Sequence, residues 1–225
     1  MPSSNYFAPE LFKFLAELAA NNNREWFSAN KSRYEEHVKG PMLAFIADFG
    51  PQLAGITGSL AADPRPVGGS MFRIFRDTRF SRDKSPYKTH VAAQFRHVGG
   101  KSDVHGPGLY LHLEPGNSMA GGGMWHPDAA TLAQVRQRIV NEPAVWKLIR
   151  DSGISIQGDQ LKGAPRGFDA RHPYLDDLRR KDFFSMKGLS DRDACANDFM
   201  ERFTQVCRQI APLMEFLTQA AGLTW

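Results

Sequence analysis

A chain of 225 residues, 42 % hydrophobic and 23 % charged, holds enough apolar material for a full core and is no disordered tail. Its formal charge of +4 is local: Lys and Arg at 73, 76, 79, 82, 84, 88, 96 and 101 face only Asp77 and Asp83, so positions 71–101 carry an excess of six and the rest sums to about −2. That distribution excludes a protein coated in positive charge for bulk nucleic-acid binding. With no signal peptide and no apolar run near membrane-spanning length, a cytoplasmic single domain over residues 1–225 with no membrane partner is expected. The two cysteines, Cys195 and Cys207, read as sharing one helix, where they lie about 18 Å apart at ~1.5 Å per residue, too far to bridge.

In chain order, Phe7, Leu11, Phe14, Leu15 and Leu18 recur at three- and four-residue steps and predict an amphipathic helix ended by the asparagines at 21–23. Asn22 followed by Glu25 resembles a capping box. It would open a second helix carrying Trp26, Phe27, Tyr34 and Val38 and closing at Gly40. Pro41 suits the first turn of a third helix, with Met42, Phe45, Ile46 and Phe49 inward and a stop or kink at Gly50-Pro51. Glycine and proline density predicts a loop over 57–70.

Three strands are expected next, over 71–76, 89–98 and 109–114. Alternation gives the sheet one greasy face (Phe72, Ile74, Val91, Ala93, Phe95, Leu109, Leu111, Leu113). The other would carry Arg73, His90, Gln94, Arg96, Tyr110, His112 and Glu114. That second face reads either as a lined pocket or as an ordinary solvated side. Gly121 to Gly123 read as a turn, with Trp125 packed on the core in preference to forming a ligand edge. Pro127 opens a helix with Leu132, Val135 and Ile139 inward, and another over 143–150 presents Trp146 and Ile149. Residues 158–173 read as loop and Phe183-Phe184 as a last strand. A long helix over 191–209 is broken or kinked by Pro212. This order gives an α+β fold, a mainly antiparallel sheet with N- and C-terminal helices packed on one face.

The phrases RDTRFSRDKSPYK (76–88), YLHLEPG and GGGMWHP, with NNNREWFSANKSRYEEHVKGPM earlier and PRGFDARHPYLDDL later, resemble the domain of unknown function 2461 family of bacteria and fungi. The resemblance covers nearly the whole chain. It implies an α+β domain usually alone in its chain, with no assigned activity and no mechanism to carry over.

The chemistry is therefore read from the residues. The segment at 71–90 is expected to arch between two strands and meet an anion. Arg73, Arg76, Arg79, Lys84, Lys88 and Arg96 would supply charge, while Ser81 and Tyr87 orient the ligand. Against this stands a bracing role, since Arg76–Asp77 and Arg82–Asp83 could be internal salt bridges. His112 and Glu114, two apart on a strand, are the candidate catalytic acid–base pair. A divalent metal there, with His126 as third ligand, matches no zinc spacing, so no metal is assigned and no cofactor is named. His37 and His97 read as solvated. No GxxxxGK[ST] loop, G-x-S-x-G turn or activated cysteine is present. Three readings remain open: a protein binding a small phosphate- or carboxylate-bearing ligand and possibly acting on it, a nucleic-acid-binding module using the basic segment, and a protein-interaction domain.

Overall fold

The computed structural model of the chain describes residues 5–100 and 105–225. Lys101, counted above in the basic segment, lies outside them. Helix α1 (Pro9–Ala20) buries Leu11, Phe14, Leu15 and Leu18 as the spacing predicts. Helix α2 (Arg24–Ala29) is capped one residue later than expected: the Asn23 side chain accepts from the Trp26 amide. Asn22 is engaged elsewhere, as described below. Short α3 (Lys31–Tyr34) passes through a π turn at Glu35–Lys39 straight into α4 (Gly40–Ala54), so the chain does not close at Gly40. Pro51 neither stops nor ends α4, which runs one turn further with Leu53 buried.

Among the described residues the sheet has five antiparallel strands in chain order: β1 (Leu60–Ala61), β2 (Val91–His97), β3 (Gly108–Leu113), β4 (Ser118–Met124) and β5 (Phe183–Leu189). Two expectations about the sheet are corrected. The glycines at 121–123 are not a turn but the middle of β4, paired to β3 (Leu109 with Gly122) and to β5 (Gly122 with Ser185). A Cβ on Gly122 would meet Gly108 O at 2.9 Å and Ile210 Cδ1 at 3.1 Å, so glycine lets the C-terminal helix press close against the sheet.

Residues 71–76 are not a regular strand. They touch β2 through the Met71–Ala93 bridge and the Phe72 amide donating to Ala92 O, then peel away. Their next partners are 86–88, through Arg76 N to Pro86 O and Lys88 N to Ile74 O, both 2.9 Å or less. Pro86 has no N–H to return to Arg76 O, so the ladder ends there.

Helices α5 (Ala129–Asn141), α6 (Pro143–Asp151) and α7 (Leu175–Leu178) follow, α5 capped by Asp128. The expected 191–209 helix is two pieces, α8 (Asp191–Ala194) and α9 (Phe199–Ala220). Cys195 falls between them, so the two cysteines do not share a helix. Helix α9 runs through Pro212 unbroken. One lost hydrogen bond and a ring clash cost about 3 kcal/mol, which burial of Leu213, Met214, Phe216 and Leu217, each worth ~1.5–3 kcal/mol, outweighs.

The greasy sheet face carries Val91, Ala93, Phe95, Leu109, Leu111 and Leu113, all buried, under α1, α4 and α9. Phe45, Phe49, Phe95, Phe199 and Phe203 interlock there edge to face, obliquely and stacked, at centroid distances of 4.7–6.4 Å. A second cluster, around Trp146, Phe183 and Phe216, lies under α5 and α6 at the other end of α9. Helices on one face leave the other face of the sheet to the 70–90 segment. No helix of the described residues is long and apolar enough to cross a membrane.

Candidate functional site

The polar sheet face gathers His90, Tyr110, His112 and Glu114, as alternation predicts, together with the Phe72 ring, which alternation places on the greasy face beside Ile74. His90 precedes β2 by one residue, one step past the Val91–Leu113 pair, and so faces Glu114. His112, opposite Ala92, is its diagonal neighbour. The small Ala92 side chain leaves room for the His90 ring to lie on the His112 ring at 4.3 Å, tilted by 31°. One nitrogen or carboxylate oxygen from each of His90, His112 and Glu114 falls within 4.8 Å of the others.

His112, nearly buried, bonds the Tyr110 hydroxyl through Nδ1 at 3.1 Å and Glu114 Oε2 through Nε2 at 3.3 Å. Glu114 also accepts from Thr89 Oγ1 at 3.1 Å and Asn117 Nδ2 at 2.8 Å. Burial would raise its pKa, but the Asn117, His112 and Thr89 bonds outweigh that and hold it below the usual carboxylate value. Burial pushes the Tyr110 phenol up to about 12, helped by the Glu114 charge. His90 falls to about 4 through burial and the adjacent His112, so its ring is neutral at pH 7. Among the described residues His90 makes no side-chain hydrogen bond.

Beside this cluster the Phe72 ring is flanked by two cations. Lys88 Nζ stands 5.2 Å and Arg96 Cζ 5.6 Å from its centroid, and Phe72 in turn packs against Tyr110 at 6.3 Å. Lys88 is half-buried, and burial together with the nearby Arg73 charge lowers its pKa. Neither Lys88 nor Arg73 is ion-paired among the described residues. Lys88 is thus held against the positive charge of Arg73, which itself lies within reach of the Asp77 charge.

The remaining cationic candidates are engaged locally. Arg76 is paired with Asp83, and the Arg79 fork grips Asp77 at 2.6 and 3.0 Å. Lys84 donates to Thr78 O at 2.9 Å. The Arg79 bonds drop Asp77 to about 2, and the Ser85 and Arg76 bonds depress Asp83 strongly, so both carboxylates stay charged at neutral pH. The salt bridges skip the expected neighbours: Arg76 reaches seven residues ahead and Arg79 two back. Ser81 sits on this exposed arch, where its amide donates to Thr78 O at 3.4 Å. Tyr87 does not face the site. It is buried and stacked on Phe27 at 4.1 Å, while its backbone is clasped by both atoms of the Asn22 amide, at 2.9 and 3.1 Å. These contacts fix the return of the arch to the N-terminal helices and so place Lys88, one residue on.

A cavity of about 350 Å³ lies elsewhere, lined by His97, His105, His126, Asp128, Thr131 and Leu223 among others. Its histidines are committed. His97, expected to be solvated, is buried, with Nε2 on Thr224 O at 2.8 Å and Nδ1 accepting from the Gly99 amide. His126 lines this cavity, its amide donating to Asp182 Oδ1 at 2.7 Å, and is not among the donors grouped with His112 and Glu114. Trp125 is 59 % exposed between His105 and His126, not packed in the core. Cys195 and Cys207 are free, and burial raises both thiol pKa values, against any thiolate chemistry.

A family model described as conserved hypothetical protein (DUF2461) matches residues 10–216. The chain belongs to that family. The DUF2461 match spans the α+β fold from α1 to most of α9, including every residue of the polar cluster. No curated protein and no solved structure matches the chain.

Proposed function

We propose that this DUF2461 protein binds a small anionic ligand, bearing phosphate or carboxylate, at the Phe72 ring. Lys88, Arg73 and Arg96 would hold its charge, and His112 with Glu114 would lie beside it as the acid–base pair of any reaction. The observation that carries the reading is Lys88, half-buried next to Arg73 with no carboxylate against it among the described residues. A unit anion at 4 Å from one such cation gains about 4 kcal/mol at an effective dielectric near 20, and two cations share it. Arg76, Arg79, Ser81 and Lys84 would shape the arch and contribute long-range charge, since Arg76 and Arg79 already have their own acids. A cytoplasmic setting suits such a ligand.

Calorimetric titration with pyrophosphate, and separately with citrate, tests this. One site per chain is expected. Lys88→Ala should weaken it by roughly 10- to 100-fold, the worth of a hydrogen bond to a charged group, without lowering Tm. Arg79→Ala should change affinity by no more than about twofold. No binding by the wild type, or equal losses in both variants, contradicts the assignment.

One observation favours nucleic acid as a second reading. Phe80 is 97 % and Phe75 55 % exposed within the basic arch, and Arg79 Cζ stands 5.9 Å from the Phe80 ring. Bases stack on such exposed rings. Single-strand binding would then show a log–log salt slope of about −0.7 per phosphate neutralised, and Phe80→Ala would cost ~1–3 kcal/mol. A flat salt response removes this reading.

A further inference from the structure

We propose that His90, His112 and Glu114 form a binding site for one divalent first-row transition-metal ion, of the zinc type. The donor set is two imidazole nitrogens and a carboxylate oxygen, a set that suits such ions and leaves coordination positions open for water or substrate. The three donors sit on or next to two paired strands: Glu114 follows β3, His112 lies within it, and His90 precedes β2, one step past the Val91–Leu113 pair. They lie within 4.8 Å of one another already. The edge of a tetrahedral shell with bonds near 2.1 Å is ~3.4 Å, so side-chain rotation would have to bring the donors closer by about 1 Å.

The surrounding hydrogen bonds are those a metal site needs. Tyr110 can accept from His112 Nδ1–H, which turns the Nε2 lone pair toward Glu114 and the shared hollow. Thr89 and Asn117 each hold one Glu114 oxygen, fixing the carboxylate without occupying all its lone pairs. The long 3.3 Å contact between His112 Nε2 and Glu114 is the place where an ion would insert. His90 meanwhile has a ring with no hydrogen-bond partner among the described residues, next to a carboxylate. The ring packs on His112 but leaves its nitrogens unused, and a metal would use one of them.

The inference shares His112 and Glu114 with the proposed acid–base pair but none of the cations that would hold the anion, so metal binding and anion binding fail separately. It also extends the anion reading, because open metal positions beside Lys88 would let one anion touch both metal and ammonium.

The test is titration of the EDTA-treated, dialysed full chain with zinc chloride by calorimetry, with cobalt(II) visible absorption as a second readout. One ion per chain is expected, with nitrogen–oxygen ligand-field bands and a rise in Tm with free zinc. His90→Ala and Glu114→Gln should each weaken binding by roughly 100-fold or more, and Tyr110→Phe by about 10-fold. His126→Ala should leave it unchanged, and so should Lys88→Ala, even where pyrophosphate binding is lost. Circular dichroism of His90→Ala and the more conservative His90→Asn keeps a folding defect from imitating ligand loss. No stoichiometric uptake, or uptake that persists in both His90 variants, overturns the proposal; the latter marks adventitious binding at surface histidines.

Discussion

Gly123→Ala is expected to destabilise the chain by about 4 kcal/mol or more and to lower Tm by roughly 10 °C or more. Gly123 sits at φ 145°, a region that costs a side-chain-bearing residue ~1–3 kcal/mol. A Cβ there would lie 2.2 Å from Phe183 O and 2.3 Å from Phe184 Cα, backbone atoms of β5 that cannot rotate aside. The collision forces β4 from β5, and β5 brings Phe183 into the cluster under α5 and α6. Gly116, at φ 70° with open space around its missing Cβ, gives the matched control. Gly116→Ala should cost only about 1–2 kcal/mol, the backbone term alone. Thermal melts of the two variants separate the causes: equal losses would mean that conformation, not the close approach of β5, sets the cost at Gly123.

Asp177→Ala is expected to cost about 3–5 kcal/mol, again roughly 10 °C in Tm. Asp177 is 3 % exposed and accepts from Trp146 Nε1 at 2.8 Å and Arg180 Nε at 3.1 Å, with Arg150 at 3.4 Å. Removing it leaves a buried indole N–H and the largely buried Arg180 guanidinium without their acceptor. This network also accounts for the late phrase PRGFDARHPYLDDL, whose acidic end holds α6 and α7 together rather than serving the polar sheet face. Arg136 supports it from α5 by donating to Leu178 O and Arg180 O, at 2.7 and 2.8 Å. A denaturant melt of Asp177→Ala with a midpoint close to the wild type would show that water replaces the lost acceptor.

The faces of β2 and β3 were legible because a strand alternates its side chains strictly. Tyr110, His112 and Glu114 on one side and three leucines on the other admit one orientation against a core. The helical stripes of α1, α5 and α6 were legible for the same kind of reason. The triple glycine misled, because its weak strand propensity is a local property. What decides β4 is the backbone of β5 and Ile210 of α9, some 60 to 90 residues away.

Asn22 read as a cap because its neighbourhood fits one; its amide instead completes the hydrogen bonding of Tyr87, 65 residues on. The arch arginines could be seen to face either an anion or a carboxylate. The pairing of Arg76 with Asp83 depends on how the loop curls, which residue type does not encode. His90 was placed on the right face by alternation, but its contact with His112 and Glu114 needs the strand register. The signal available beforehand was the spacing His90, His112, Glu114 read together with a hairpin pairing Val91 to Leu113.

The proposed ligand site is the Lys88 charge beside Phe72, not the arch tip or the cavity at His97 and His126. An amide-resolved NMR titration with pyrophosphate tests it most directly. The amides of Phe72, Arg73, Lys88 and Arg96 should move together and saturate at one equivalent, while those of Arg79, Phe80, His97 and His126 stay in place. Saturating shifts confined to the arch tip or to the cavity walls, with Lys88 unmoved, would contradict it.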